Sequence, residues 1–294
     1  MRVVLAAEEA AGVQVLRNLC GLPSPAELVA VFTTPPGAAS RRALVYEAAS
    51  ALGVPTFPVD AVRTHELAER LRDERVDLLV NVHSLFVVHP DVVAAPRIGS
   101  FNLHPGPLPA YAGLNVPSWA VYRGERRHAV TLHWMDAGID SGPIAYAQSF
   151  ELTESDTGLS AAAKCVRHGV PLVSELVQVA AREPSAIPRI EQDRSRRRYF
   201  AAGPPNGGRI DWSRPAAELV RLVRAADYGP FPSPWGQVTA KVAGNDVCIA
   251  KATALPDGTR ATPGAVVDTT ESSVTVATGD GLLLVETFRP QEPL

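Results

Sequence analysis

Strand-like runs alternating with helical segments fill the first hundred residues, and this alternation constrains the fold more than any other feature. Residues 2–6 read as a short buried strand, and Val13, Leu16 and Leu19 follow at helical spacing as far as Gly21. A second strand-like run, 27–32, ends at Thr33-Thr34-Pro35-Pro36-Gly37. Residues 41–52 carry Leu44, Val45, Ala48 and Leu52 on one helical face, with Gly53 placed as a C-cap. A short strand at 54–59, a charged helix at 65–74 capped by Thr64, and a nearly continuous apolar strand at 76–82 come next. Strands that are apolar throughout and separated by helices predict an α/β fold with a parallel sheet covered on both faces.

Residues 100–104, Ser-Phe-Asn-Leu-His, are the fifth such strand. Their period of two puts Phe101 and Leu103 on one face and Asn102 and His104 on the other. Three prolines among Pro105-Gly106-Pro107-Leu108-Pro109 then end the ladder, because proline has no N–H to donate and fixes φ. A carboxamide and an imidazole therefore stand side by side at the carboxyl end of a strand, where open α/β sheets bind ligands.

Downstream, 117–124 reads as a short helix, and 129–135 and 143–150 as strands flanking the turn-rich loop Asp136-Ala137-Gly138-Ile139-Asp140-Ser141-Gly142. Residues 157–182 form a long helical segment capped by Asp156 or Thr157, which Gly169 and Pro171 are expected to kink or divide. The proline-rich stretch 184–208, with the run Arg194-Ser195-Arg196-Arg197-Arg198, is a linker or a wrapping loop. After a helix at 214–226 capped by Ser213, short alternating segments at 237–243, 246–252, 263–269, 272–278 and 281–288 imply a small barrel or sandwich. Thr278-Gly279-Asp280-Gly281 is a hairpin signal among them.

Several function classes lose their warrant. The net charge of -3 provides no global field for polyanions or membranes. No apolar run reaches membrane length, and Cys20, Cys165 and Cys248 stand far apart without a C-x-x-C, so a cytoplasmic protein with reduced, structural cysteines is expected. No G-x-G-x-x-G, Walker or G-x-S-x-G motif is present, and His83, His89 and His104 lack zinc-ligand spacing. On their own, Asn102 and His104 are equally a strand end satisfied by loop backbone. Asp140, flanked by Gly138 and Gly142, supplies a carboxylate that would favour a protonated imidazole. Asn, His and Asp converging at a sheet's carboxyl end suit acyl transfer, with an amide and a cationic ring for a developing oxyanion and a carboxylate for protons.

Asn102-Leu103-His104, followed by Leu108-Pro109, Tyr111 and Gly113, and then Thr131-Leu132-His133-Trp134-Met135-Asp136-Ala137-Gly138-Ile139-Asp140-Ser141-Gly142-Pro143-Ile144, resembles the signature of the folate-dependent formyltransferases. That family includes methionyl-tRNA formyltransferase, glycinamide ribonucleotide transformylase, sugar-nucleotide N-formyltransferases and formylation domains of peptide synthetases. Gly208-Arg209-Ile210-Asp211-Trp212 resembles the start of its small C-terminal β domain. The resemblance implies a Rossmann-like catalytic domain at 1–184, a linker at 185–208 and a β-barrel-like domain at 209–294. It implies 10-formyltetrahydrofolate as formyl donor, no metal, and Asn102, His104 and Asp140 as catalytic residues. The pterin would lie between Ser84, Leu85, Phe86, Val87 and Val88 and the loop residues Asp136, Ala137, Gly138 and Ile139, held largely by backbone groups. Gly106, Pro107, Leu108 and Tyr111 would border the acceptor.

The chain departs from many relatives at that border, with Gly106-Pro107-Leu108-Pro109 for Ser-Leu-Leu-Pro and Tyr111-Ala112-Gly113 for Tyr-Arg-Gly. This form is similar to formyltransferases of secondary metabolism and peptide synthetases, which implies a small-molecule or carrier-tethered amine as acceptor. Residues 209–294 hold eight Arg or Lys against ten Asp or Glu, which argues against a nucleic-acid partner, although the linker arginines could supply a patch. Sugar-nucleotide and methionyl-tRNA acceptors remain the enzymatic alternatives, and a non-catalytic folate-binding module the alternative of another class.

Overall fold

The structure is a computed structural model that describes residues 1–21, 26–37, 44–84, 86–256 and 261–290, with backbone alone for 287–290. Leu85 and residues 41–43 of the expected second helix lie outside these. The chain forms two compact units. One comprises 1–112, 129–150 and 165–199, the other 113–128, 151–164 and 200–294.

The first unit is built on strands β1 (Arg2–Ala7), β2 (Glu27–Thr33), β3 (Thr56–Pro58), β4 (Leu78–Val82) and β5 (Gly99–His104), interleaved with helices α1 (Glu9–Gly21), α2 (Leu44–Ala51), α3 (His65–Asp73) and α4 (Pro90–Val93). Beyond β5 the chain continues through β6 (Ala112–Gly113), α5 (Val116–Arg123), β7 (Arg127–Trp134), β8 (Ile144–Glu151), α6 (Gly158–Arg182) and β9 (Tyr199–Phe200). The main sheet has the order β3-β2-β1-β4-β5-β7-β8. Its first five strands pair in parallel, as their apolar runs predict. Strand β7 then joins β5 antiparallel, so the sheet is mixed. Every residue of β4 is buried, and Phe101 and Leu103 of β5 enter the core on the face opposite Asn102 and His104. Full burial of each such side chain contributes about 2 kcal/mol.

Two local expectations change. In α2 the buried residues are Val45 and Ala49, while Leu44 and Leu52 are exposed; Gly53, in the left-handed region at φ 69°, closes the helix. Helix α6 runs unbroken through Pro171. Gly169 within it lies where a Cβ would meet the Leu103 side chain at 3.1 Å, so the glycine permits close packing on β5 rather than breaking the helix. Its amino end is fixed by reciprocal bonds: Thr157 N–H donates to Ser160 Oγ at 2.9 Å and Ser160 N–H to Thr157 Oγ1 at 3.3 Å.

The second unit carries α7 (Ala216–Ala226) and an antiparallel sheet of β10 (Val238–Val242), β11 (Asn245–Leu255), β12 (Val266–Thr269), β13 (Val274–Ala277) and β14 (Leu282–Pro290), in the order β10-β11-β14-β13-β12. This open half-barrel matches the five expected segments, with 278–281 as the hairpin turn. Helix α7 starts two residues after the expected position, and its Ala216 N–H is capped by Asp280 of that turn at 2.8 Å rather than by Ser213. Helix α5 belongs to the same unit: Trp119 packs edge-on against Trp235, and the Tyr122 hydroxyl donates to Glu218 of α7 at 2.5 Å. Among the described residues no helix is long and apolar enough to cross a membrane.

Candidate active site

Sheet register lines up three polar side chains at the carboxyl end of the first unit's central strands. Asn81 of β4 lies opposite Asn102 of β5, and Asn102 opposite His133 of β7. Asn81 Nδ2 donates to Asn102 Oδ1 at 2.8 Å. The Asn102 amino group is thereby turned toward His133 Nε2 at 3.1 Å and Asp140 Oδ1 at 3.4 Å. The His133 Nδ1–H donates to the Trp134 carbonyl at 2.7 Å, which leaves Nε2 as the acceptor for Asn102.

His104 lies two residues further along β5, opposite Thr131. Its Nε2–H donates to the Tyr111 carbonyl at 2.5 Å. Nδ1 therefore faces the carboxylate, 3.5 Å from Asp140 Oδ1. The same oxygen is 3.6 Å from His133 Nε2, so one carboxylate oxygen is the focus of an amide and two imidazoles. The ring of His104 is only 3% exposed. Burial pushes its pKa below the usual histidine range, and Asp140 and the Tyr111 carbonyl only partly oppose that; His133 and His83 act with burial. Burial thus works against the charged imidazolium expected beside Asp140, while the carboxylate facing Nδ1 works for it.

The loop that delivers Asp140 is heavily constrained. Asp136 Oδ1 accepts from Gly138 N–H at 2.9 Å and from Ser141 Oγ at 2.7 Å, forming a turn that leaves Ala137, Gly138 and Ile139 exposed. Asp140 adopts φ 52°, a left-handed conformation that aspartate tolerates better than most side chains. A Cβ on Gly142 would collide with the Trp134 carbonyl oxygen. Gln192, in the stretch after α6, donates through Nε2 to the carbonyls of Asp140 at 3.1 Å and Gly142 at 2.7 Å.

Of the segment expected to face a pterin, Phe86 and Val87 are exposed, Val88 is buried, and Ser84 is half-buried, its Oγ without a hydrogen-bond partner among the described residues. Leu85 is outside the described residues. Val88 shares an apolar cluster with Val92 and Ala95 against which Met135, immediately before the Asp136 loop, is packed. The two segments therefore flank one wall. In the proline loop, Thr131 Oγ1 donates to the Gly106 carbonyl at 2.8 Å and accepts from Leu108 N–H at 3.2 Å. Leu108 and Tyr111 are buried and Pro107 is half-buried. Cys165 Sγ donates to the Pro105 carbonyl at 3.5 Å; it is buried and its pKa is pushed far up, so it anchors the loop as a thiol. Among the described residues no group of three or more His, Cys, Asp or Glu could hold a metal ion.

Sequence reasoning missed Asn81, Thr131, His133 and Gln192. Asn81 is the one polar side chain in an otherwise apolar strand, which is a legible signal. His133 and Thr131 keep the period of two within the motif; Gln192 lies 52 residues from the loop it holds and has no local signal.

A cavity of about 350 Å³ in the second unit is lined by Tyr122, Arg209, Arg214 and Glu218 among others, but Glu218 is already bound by Tyr122 and Arg214.

Residues 1–175 match the family profile described as formyl transferase, and residues 204–293 that of the formyl transferase C-terminal domain. An N-formyltransferase from Helicobacter canadensis, solved with folinic acid and dTDP-3-aminofucose, superposes with a TM-score of 0.72 at 18% identity, covering 98% of this chain and 99% of that one. A 4-N formyltransferase from Francisella tularensis does so at 0.66 and 17%, over 85% and 96%. HypX from Aquifex aeolicus with tetrahydrofolic acid gives 0.61 and 18%, over 99% of this chain but 44% of its own, so this chain spans less than half of HypX. At these identities the likeness is one of fold.

Proposed function

The chain belongs to the formyl transferase family, and from that premise we propose that it transfers a formyl group from 10-formyltetrahydrofolate to a primary amine of a small-molecule or carrier-tethered acceptor in specialised metabolism. The observation that carries the proposal is the convergence of Asn102 and His104 on one carboxylate oxygen of Asp140, at 3.4 and 3.5 Å, with His104 buried and its pKa lowered by that burial. The folate would occupy the wall between 84–88 and 136–139. The chemistry falls to residues of the domain proposed at 1–184.

In this reading the acceptor nitrogen attacks the formyl carbon and the carbonyl electron pair moves to oxygen, where the Asn102 amino group donates. His104 takes the amine proton at Nδ1, becoming an imidazolium beside the Asp140 carboxylate. When the tetrahedral intermediate collapses, the bond to the folate nitrogen breaks and that nitrogen receives the proton from His104. Asn81 and His133 fix the amide that meets the oxyanion, and Gln192 fixes the backbone of the loop that carries the carboxylate.

The test is purified protein with 10-formyltetrahydrofolate and a panel of amines, including amino acids, carrier-bound aminoacyl groups, amino-sugar nucleotides and methionyl-tRNA, with tetrahydrofolate release and formyl-amine formation measured. Formyl transfer to any small or carrier-bound amine is expected. Transfer to methionyl-tRNA alone would exclude the proposed acceptor class, and no transfer to any acceptor would favour a binding module.

A further inference from the structure

The stretch between α6 and β9 is pinned along its length to the two loops that frame the site. Trp134 Nε1 donates to the Pro188 carbonyl at 2.8 Å, Ile144 and Ile190 exchange backbone hydrogen bonds at 2.8 and 3.0 Å, and Gln192 holds the Asp140 loop. Further on, Arg198 N–H donates to the Pro109 carbonyl at 3.2 Å and its own carbonyl accepts from Ala112 N–H at 3.0 Å. Between these anchors is Arg197. Its Nη2 donates to the carbonyl of Ile139 at 3.0 Å, the residue next to Asp140. Its Nη1 is buried and has no hydrogen-bond partner among the described residues. Its guanidinium carbon lies 5.9 Å from the Tyr199 ring centroid, and no carboxylate among the described residues pairs with it.

A guanidinium that keeps its charge, withdraws a nitrogen from water and leaves that nitrogen unbonded is costly for a folded chain. The other arginines of this stretch differ: Arg189 covers the Trp134 ring at 4.3 Å, and Arg194, Arg196 and Arg198 are exposed. Arginine's planar fork suits a carboxylate or phosphate, which would satisfy Nη1 and neutralise the charge together. Nη1 is covered in this structure, so an anion reaches it when the Arg197 side chain swings outward, while the anchors on both sides keep the backbone in place. We propose that Arg197 is an acceptor-binding residue that receives an oxyanion, carboxylate or phosphate, carried by the same molecule as the amine. This rests on the formyl-transfer reading and narrows it to free acceptors that bear an anionic group near their amine, such as an amino acid or a phosphorylated amine.

The test has two arms, using the full chain, Arg197→Gln, Arg197→Lys and the exposed-site control Arg194→Gln, each checked for an unchanged unfolding temperature. In the first, line broadening of inorganic phosphate is followed by phosphorus NMR in the presence of 5-formyltetrahydrofolate, with acetate as competitor. Broadening by wild type and Arg194→Gln, its loss in Arg197→Gln and a weaker form in Arg197→Lys are expected; displacement by acetate marks a site open to carboxylates, and none marks one selective for phosphate. Absent broadening in wild type, or equal broadening in Arg197→Gln, overturns the proposal whether or not the protein turns over. In the second, each anionic acceptor is paired with its amide, ester or dephosphorylated counterpart. Arg197→Gln should raise KM for the anionic member by about tenfold to a hundredfold, leave kcat nearly unchanged, and hardly affect the neutral member. Equal losses on both members would mean that Arg197 only supports the Ile139 loop, and would overturn the proposal. Phosphate binding lost in Arg197→Gln, with no turnover of any amine by wild type, would keep the anion site and reject formyl transfer.

Discussion

At the scale of single residues, the charge state of His104 is the central issue. Burial lowers its pKa in the folded protein, so the neutral form is favoured, and a base that must be neutral loses function only below the ordinary histidine value. The acid limb of the kcat/KM profile should therefore lie below that value. Asp140 is the main group opposing the depression. Asp140→Asn should consequently move the limb further toward acid while reducing kcat by about a hundredfold or more; a limb moving toward alkali would refute the assignment. Stability follows the same sign. It is complete above the ordinary histidine value and declines as pH falls through the lowered one, because the unfolded chain then binds a proton the buried ring resists. Thermal unfolding against pH should show a shallower acid decline in His104→Asn. Asn81 gives a separate expectation: Asn81→Ala frees the Asn102 amide to rotate, and kcat should fall about tenfold with KM for the acceptor nearly constant. An unchanged kcat would show that the amide is held some other way.

At the scale of elements, the site depends on loops fastened at a few points. Replacing Gly142 by Ala forces a methyl against the Trp134 carbonyl, and moving Asp140 by even about 1 Å can cost on the order of a hundredfold in rate. Gly142→Ala should show that loss while the far-UV spectrum stays native. The start of α6 makes a different prediction. Asp156 is buried, which works to raise its pKa, yet Lys164 at 2.7 Å, Ser160 at 2.6 Å and the Thr153 N–H at 2.6 Å hold it down to about 2. Its stabilisation is present above the ordinary aspartate value and is lost as pH falls through about 2. Asp156→Asn should lower stability by about 2 kcal/mol at neutral pH in denaturant titrations, with the difference shrinking in acid. Some of these elements were legible: the strand at 100–104, the half-barrel strands and the hairpin turn all follow from period and turn residues. The unbroken α6 was not, since Gly169 and Pro171 read as breakers and only the proximity of Leu103 gives Gly169 its use.

At the scale of the molecule, the second compact unit takes 113–128 and 151–164 from the middle of the chain as well as 200–294. Trp119 and Tyr122 of α5 are satisfied by Trp235 and Glu218, and Arg221 donates to the Tyr122 carbonyl at 2.9 Å. A chain cut after residue 203 keeps Phe200 and Ala201 against Trp119 but removes Trp235 and Glu218 from Trp119 and Tyr122. It should unfold at lower temperature and bind a hydrophobic dye, and a truncated protein with the native unfolding temperature would show that α5 needs no such support.

The sequence alone determined whatever depends on spacing along the chain. Alternating apolar runs specified the parallel strands, a period of two set Asn102 beside His104, and the order of two motifs marked the family. Tertiary structure decided whatever depends on distant residues coming together. Register across three strands joined Asn81 and His133 to Asn102, and the chain's return after α6 brought Gln192 and Arg197 to the Asp140 loop. Burial lowered the pKa of His104. A residue's neighbours along the chain fix its direction, whereas its solvation and hydrogen-bond partners come from groups tens of residues away, and these govern protonation.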